Sequence, residues 1–169
     1  MKTKLSFNKK TAIIYSLIIA AGILIDQLTK LLTVKLLKPV GSVPIIKGVI
    51  HLTYVENRGA AFGMLSDERW VFITISTVAI VGLAFYLFCF KLPNMLYGVS
   101  ISMIISGGIG NMIDRLALGY VVDMIDFTLI NFAVFNGADS FVCVGAGLLI
   151  LALIIDMINE EKAKRGKEK

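Results

Sequence analysis

The 169-residue chain is 57% hydrophobic and only 17% charged, with a net charge of +5 and a mean hydropathy of +0.82. An ordinary soluble domain carries about 25% charged residues, so a lipid bilayer is the expected solvent for much of this chain. The basic residues gather at the ends, Lys2, Lys4, Lys9 and Lys10 in front and Lys162, Lys164, Arg165, Lys167 and Lys169 behind, which suits tails beside an anionic leaflet and argues against a nucleic-acid-reading stripe.

The first apolar segment, TAIIYSLIIAAGILI (11–25), ends at Asp26 and predicts a helix over about 11–28. Basic residues ahead of a short apolar core and Ala20-Ala21-Gly22 also fit a cleaved secretory leader. Apolar residues continue to Ile25, which favours a retained helix. DQLTK (26–30) sets Asp26 and Lys30 four apart on one helical face, the spacing of a local ion pair.

The loop expected over 31–69 is long enough for structure of its own. VIHLTYV (49–55), bounded by Gly48 and the NRG of 57–59, is rich in β-branched and aromatic residues and predicts a strand. A small sheet at the membrane surface fits it. ENRGAAFG (56–63) reads as a turn, or as a loop whose backbone and Asn57 face a substrate.

WVFITISTVAIVGLAFYLFCF (70–90) reaches the length of about 20 residues that a spanning helix needs. The tight turn KLPN leads to the third helix, expected over 96–112, LYGVSISMIISGGIGNM. Gly107 and Gly108 permit close backbone approach between helices. They form no nucleotide-binding pattern, since they do not open a helix after a strand. Asn111, Asp114 and Arg115 follow at the helix end. They read as an interfacial end with a snorkelling arginine, or as a place where Asn111 and Arg115 hydrogen-bond a site or its substrate.

GYVVDMIDFTLINFAVFNGADS (119–140) carries three aspartates and no basic residue between two very apolar segments. VVDMIDFTLINFAVF supplies a strand or an extended piece within a second outer loop, 115–138. The fourth helix, containing FVCVGAGLLILALII, is expected over 139–157. Cys89 and Cys143 fall in apolar runs near opposite faces of the membrane and read as buried thiols, with no disulfide or metal. His51 stands alone in its strand, and without an HExxH or Cys/His cluster zinc chemistry is not expected. Four spans put both termini on one side. Positive-inside counting makes it cytoplasmic, with ten basic residues against seven.

Asp123 and Asp139 meet at one depth if the third and fourth helices pack together. Two carboxylates about 5 Å apart repel by about 3 kcal/mol at an effective dielectric of about 20, so such a pair tends to hold one shared proton. One carboxylate then acts as base on a water while the other donates a proton. Other readings stand beside this one. Asn136 followed three residues later by Asp139 resembles a capping box, and an acid in a first helical turn is favourable. Asp123 also reads as a solvated loop acid, as does Asp126.

Together DQLTK (26–30), ENRGAAFG (56–63), GGIGNMIDR (107–115), VVDMIDF (121–127) and FNGADS (135–140) resemble the lipoprotein signal peptidases, or signal peptidase II, of bacteria. The motifs occur in the family's order and spread over most of the chain. The resemblance implies one membrane-embedded peptidase domain over 1–169: an all-α integral membrane protein of four transmembrane helices, with a small extracytoplasmic β-cradle from the first outer loop. It implies a cytoplasmic-membrane aspartic endopeptidase that cuts prolipoproteins before a diacylglyceryl-modified cysteine. The implied dyad falls on Asp123 and Asp139, and the supporting positions on Asp26, Lys30, Asn57, Gly108, Asn111, Arg115 and Asn136. No cofactor, metal or nucleic acid is implied. Membrane lipids and the peptide antibiotic globomycin are expected to bind. One departure is Gly137, where many members carry a bulkier apolar residue, and where a looser start of helix four is expected.

Two functions of other classes compete. A proton-coupled carrier predicts acids near mid-bilayer and often an internal repeat; here the acids cluster at one face and no repeat is visible. An assembly factor using glycine-rich helix faces tolerates loss of either aspartate.

Overall fold

A computed structural model describes residues 8–59 and 68–165. Residues 60–63 of ENRGAAFG and the outer parts of both basic tails lie outside the described residues. Four helices are long and apolar enough to cross a membrane: α1 (Lys9–Leu32), α2 (Arg69–Cys89), α3 (Met95–Ala117) and α4 (Gly137–Arg165). They run longer than their apolar cores. α1 starts on Asn8, whose side chain accepts from Lys10 N at 3.0 Å, as an N-cap should. It continues to Leu32, past the expected end near residue 28, because Asp26 and Lys30 are buried against other elements. One π turn, Thr33–Leu37, then carries Leu37 under the sheet, where it packs with Val122 and Met124. A second asparagine cap, Asn94 to Leu96 N at 2.9 Å, starts α3 after the KLPN turn.

The sheet has three antiparallel strands in the order β1 (Ser42–Ile46), β2 (Ile50–Asn57) and β3 (Val121–Asp126). The expected strand at 49–55 is present as β2. The cradle does not come from the first outer loop alone, because the segment between α3 and α4 supplies β3. β3 is buried on both faces over Val121–Met124, so it lacks the alternation of a half-exposed strand. Gly48, with φ +74°, makes the β1–β2 turn, and its N–H faces His51 Nε2 at 3.4 Å.

α3 is the central helix, packing on α1, α2 and α4. It carries small residues where neighbours approach: Tyr15 of α1 lies against Gly98, and Ala138 of α4 against Gly107. Ser100 and Ser102 return their hydroxyls to backbone carbonyls four residues back, so the stripe buries no unpaired donor there. The outward faces are apolar. Leu17, Leu24, Val78 and Phe85 stand more than half exposed, as helices dissolved in lipid should. Neither cysteine is the buried thiol expected: Cys143 is exposed on α4 and Cys89 is half-buried at the far end of α2. An apolar run does not say which of its residues face protein and which face lipid.

Candidate active site

The chain returns from β3 to α4 through a short loop pinned at its base. Ile125 and Phe135 exchange both backbone hydrogen bonds, at 2.8 and 3.0 Å, and Met124 N also donates to Phe135 O. This closure sets Asn136 beside Asp123. Asn136 Nδ2 donates to Asp123 Oδ1 at 2.6 Å. Its backbone N–H donates to Asp139 Oδ2 at 3.2 Å, while Asp139 N donates back to Asn136 Oδ1 at 3.0 Å. The capping box is therefore real, and it hands Asp139 to Asp123's neighbour. Capping and chemistry do not compete for this carboxylate: one oxygen serves the cap, and the other accepts from Asn111 Nδ2 at 2.7 Å.

Asp123 lies on β3 rather than in a loop, and it is 1% exposed. Its second oxygen accepts from Asn57 Nδ2 at 2.8 Å. Burial pushes its pKa up to about 6, and the nearby charge of Asp139 adds to the rise, against the donors Asn57 and Asn136 and the charge of Lys30. Asp126 is occupied elsewhere, accepting from Thr53 Oγ1 at 2.9 Å.

The three asparagine amides have forced orientations, because something that can only donate sits on each oxygen. Asn57 Oδ1 accepts from Gly59 N at 3.0 Å, Asn136 Oδ1 from Asp139 N, and Asn111 Oδ1 from Lys30 Nζ at 3.0 Å. Each NH₂ must then face a carboxylate. Asn136 Nδ2 also reaches Asn111 Oδ1 at 3.0 Å, joining the two halves of the site.

Asp26 and Lys30 form the expected pair at 2.9 Å, but not in isolation. Lys30 also lies 3.1 Å from Asp114 Oδ2, and Gln27 Nε2 contacts both Asp26 and Asp114. Sequence reasoning left Gln27 and Asp114 out of the site. A usable signal was present for Asp114, which stands three residues after Asn111 and so on the same face of α3. Arg115 does not bond either carboxylate in the described residues. Its guanidinium lies over the Phe72 ring at 4.9 Å and donates to Gly59 O at 3.3 Å.

A cavity of about 690 Å³ opens beside this network between α2, α3 and α4. Asn57, Gly108, Asn111, Arg115 and Asp139 line it, together with Phe72, Phe132, Phe135 and Val144. The structure therefore brings all nine expected residues to the network, its supports or the cavity wall. Gly108 faces Ile80 of α2, and it is Gly107 that makes the close approach to α4. Gly137 leaves ordinary room, with Asp26 Oδ1 3.6 Å from where a Cβ would stand. α4 is not loose there, since Ala138 N donates to Asp26 Oδ1 at 2.9 Å.

The arrangement offers two acids beside a largely apolar cavity: Asp139 at its wall, and Asp123, with the raised pKa, buried behind it and joined to it through Asn136. Residues 18–155 match the family model described as Signal peptidase (SPase) II. A lipoprotein signal peptidase of Caldanaerobacter subterraneus is 54% identical over 133 residues, 78% of this chain and 90% of that protein. One of Clostridioides difficile is 46% identical over 83% of this chain and 95% of its own length. A bacterial membrane enzyme solved by the in meso method at 2.3 Å aligns with a TM-score of 0.78 and 32% identity, covering 94% of this chain and 96% of that one. By sequence over most of its length, and by fold, this multi-pass chain belongs to the signal peptidase II family of peptidases.

Proposed function

We propose that this peptidase is an aspartic endopeptidase that removes the signal peptide from diacylglyceryl-modified bacterial prolipoproteins, cutting before the lipidated cysteine. The observation that carries the reading is Asn136, which bonds Asp123 through its side chain and Asp139 through its backbone and so couples the buried carboxylate to the one at the cavity wall. The names of the relatives, lipoprotein signal peptidases, support the substrate class. The apolar cavity suits an acyl-bearing substrate and the antibiotic globomycin. The whole chain acts as one membrane-embedded domain of the cytoplasmic membrane. Both termini are cytoplasmic, and the sheet and acids lie at the outer face.

Asp123, buried and with the raised pKa, holds the shared proton. Asp139 lines the cavity and takes the proton of the attacking water. Asp123 donates to the scissile carbonyl oxygen, and the proton gained by Asp139 then goes to the leaving amine. Asn57, Asn111 and Asn136 can only donate to the carboxylates, so they steady the charge the pair carries throughout. Purified enzyme in detergent is expected to release a peptide ending at the residue before the lipobox cysteine, as read by mass spectrometry. An intact substrate that a known peptidase of this class does cleave would overturn the reading.

The pair needs one proton. Asp123 has its pKa raised to about 6, so the acid is present below that value and lost as the pH rises through it. In the free enzyme kcat/KM is expected to fall tenfold per pH unit above about pH 6. Rates measured from about pH 5 to about pH 9 check this, and a profile flat across that range would remove the proton from Asp123.

A further inference from the structure

We infer that Asp114 is a positioning residue for the carboxylate pair, acting through a buried ion cluster with Lys30 and Asp26. The inference rests on the dyad reading above. Asp26, Lys30 and Asp114 are 0%, 3% and 3% exposed. The Lys30 ammonium touches Asp26 Oδ2 at 2.9 Å, Asp114 Oδ2 at 3.1 Å and Asn111 Oδ1 at 3.0 Å, which uses its three protons.

Besides Lys30 and the shared amide of Gln27, each acid accepts one backbone N–H, and both of these go to the same kind of place. Asp114 Oδ2 accepts from Val122 N at 3.0 Å, and Val122 immediately precedes Asp123. Asp26 Oδ1 accepts from Ala138 N at 2.9 Å, and Ala138 immediately precedes Asp139. A single ammonium thus ties the backbone just ahead of both carboxylates to one point. Through Asn111 it also decides which end of that amide faces Asp139.

Stability alone does not account for the cluster. Two acids and one ammonium leave an excess negative charge out of water, and apolar side chains would join the same helices without that desolvation cost. What the charges add is fixed geometry at the two reacting groups. They also add a field: Lys30 lowers the pKa of Asp123, and Asp114 opposes Lys30. The other charges facing the pair are Asp26 from α1 and Arg115 from α3, with Arg115 interacting with Asp114, Asp123 and Asp139.

The test compares full-length Asp114→Ala and Asp114→Asn with wild type on the diacylglyceryl prolipoprotein, reading kcat, KM, the pH profile and thermal unfolding. The Ala variant loses the acceptor for Val122 N and is expected to drop kcat by about 10- to 100-fold with KM within about twofold, the scale of a reacting group displaced by a fraction of an ångström. The Asn variant keeps an oxygen for Val122 N and is expected to recover most of kcat. It removes a negative charge, so its alkaline limb is expected to move to lower pH by roughly half a unit. If both variants show wild-type kcat per folded molecule and an unshifted limb, Asp114 is only structural and the inference fails. If Asp114→Ala does not fold, the pH limb of Asp114→Asn decides alone. Failure of the dyad reading looks different: turnover would survive in Asp123→Asn or Asp139→Asn.

Discussion

Asp123→Asn and Asp139→Asn are each expected to cut turnover by about 10³-fold or more while leaving a folded enzyme, since an acid–base partner contributes about 10²- to 10⁴-fold and the two act as a unit. Asparagine preserves shape but cannot take a proton from water or give one to a carbonyl oxygen. Folding should survive both changes. Each carboxylate accepts one donor on each oxygen, so an amide leaves one NH₂ facing another donor, at about 1–3 kcal/mol. At Asp123 this is partly offset, because a raised pKa marks a place where charge is costly. Cleavage of a diacylglyceryl prolipoprotein by the purified variants, with thermal unfolding alongside, checks the expectation. Turnover within tenfold of wild type in either folded variant would sink the dyad.

The fold and site were legible in the sequence to different depths, and the reasons are physical. Helix existence followed from apolar runs of spanning length. Helix ends did not, because hydropathy reads Asp26, Lys30 and Arg115 as boundaries. In the structure Asp26 and Lys30 are buried with partners and Arg115 sits over Phe72, so each helix continues past them. β3 was visible only as a strand or an extended piece somewhere in a fifteen-residue stretch, since a strand buried on both faces has no alternation to read. Its pairing with β2 is long-range and has no local signal. The Asp26–Lys30 pair was legible because its partners are four apart on one helix. Asp114 completes the cluster from another helix: its spacing from Asn111 sets it on the same face of α3, but nothing local reports that this face meets Lys30. The capping box of Asn136 and Asp139 was also visible. What the sequence did not show was that the capping aspartate divides its oxygens, one to the cap and one to Asn111 of another helix.

Gly107→Ala is the most severe change expected outside the acids themselves, and it tests whether helix packing sets the chemistry. A Cβ on Gly107 would overlap the carbonyl oxygen of Ala138 and stand 2.7 Å from Val142 Cγ2. The first obstacle is backbone, so no rotamer relieves it, and α3 and α4 must part. The residue struck is the one whose N–H is held by Asp26 and whose successor is Asp139. Parting the helices therefore moves Asp139 relative to Asp123, whose strand is bonded to Asp114 of α3 and, among the described residues, not to α4. A loss of about 1–3 kcal/mol in stability is expected for the overpacking, together with a fall in kcat of about 100-fold. A glycine outside the site serves as the control. Gly147→Ala, further along α4, meets nothing within 4 Å and should be silent or slightly stabilising. Wild-type turnover in Gly107→Ala would mean that α4 can shift without moving Asp139, and that the carboxylates are set by the polar network alone.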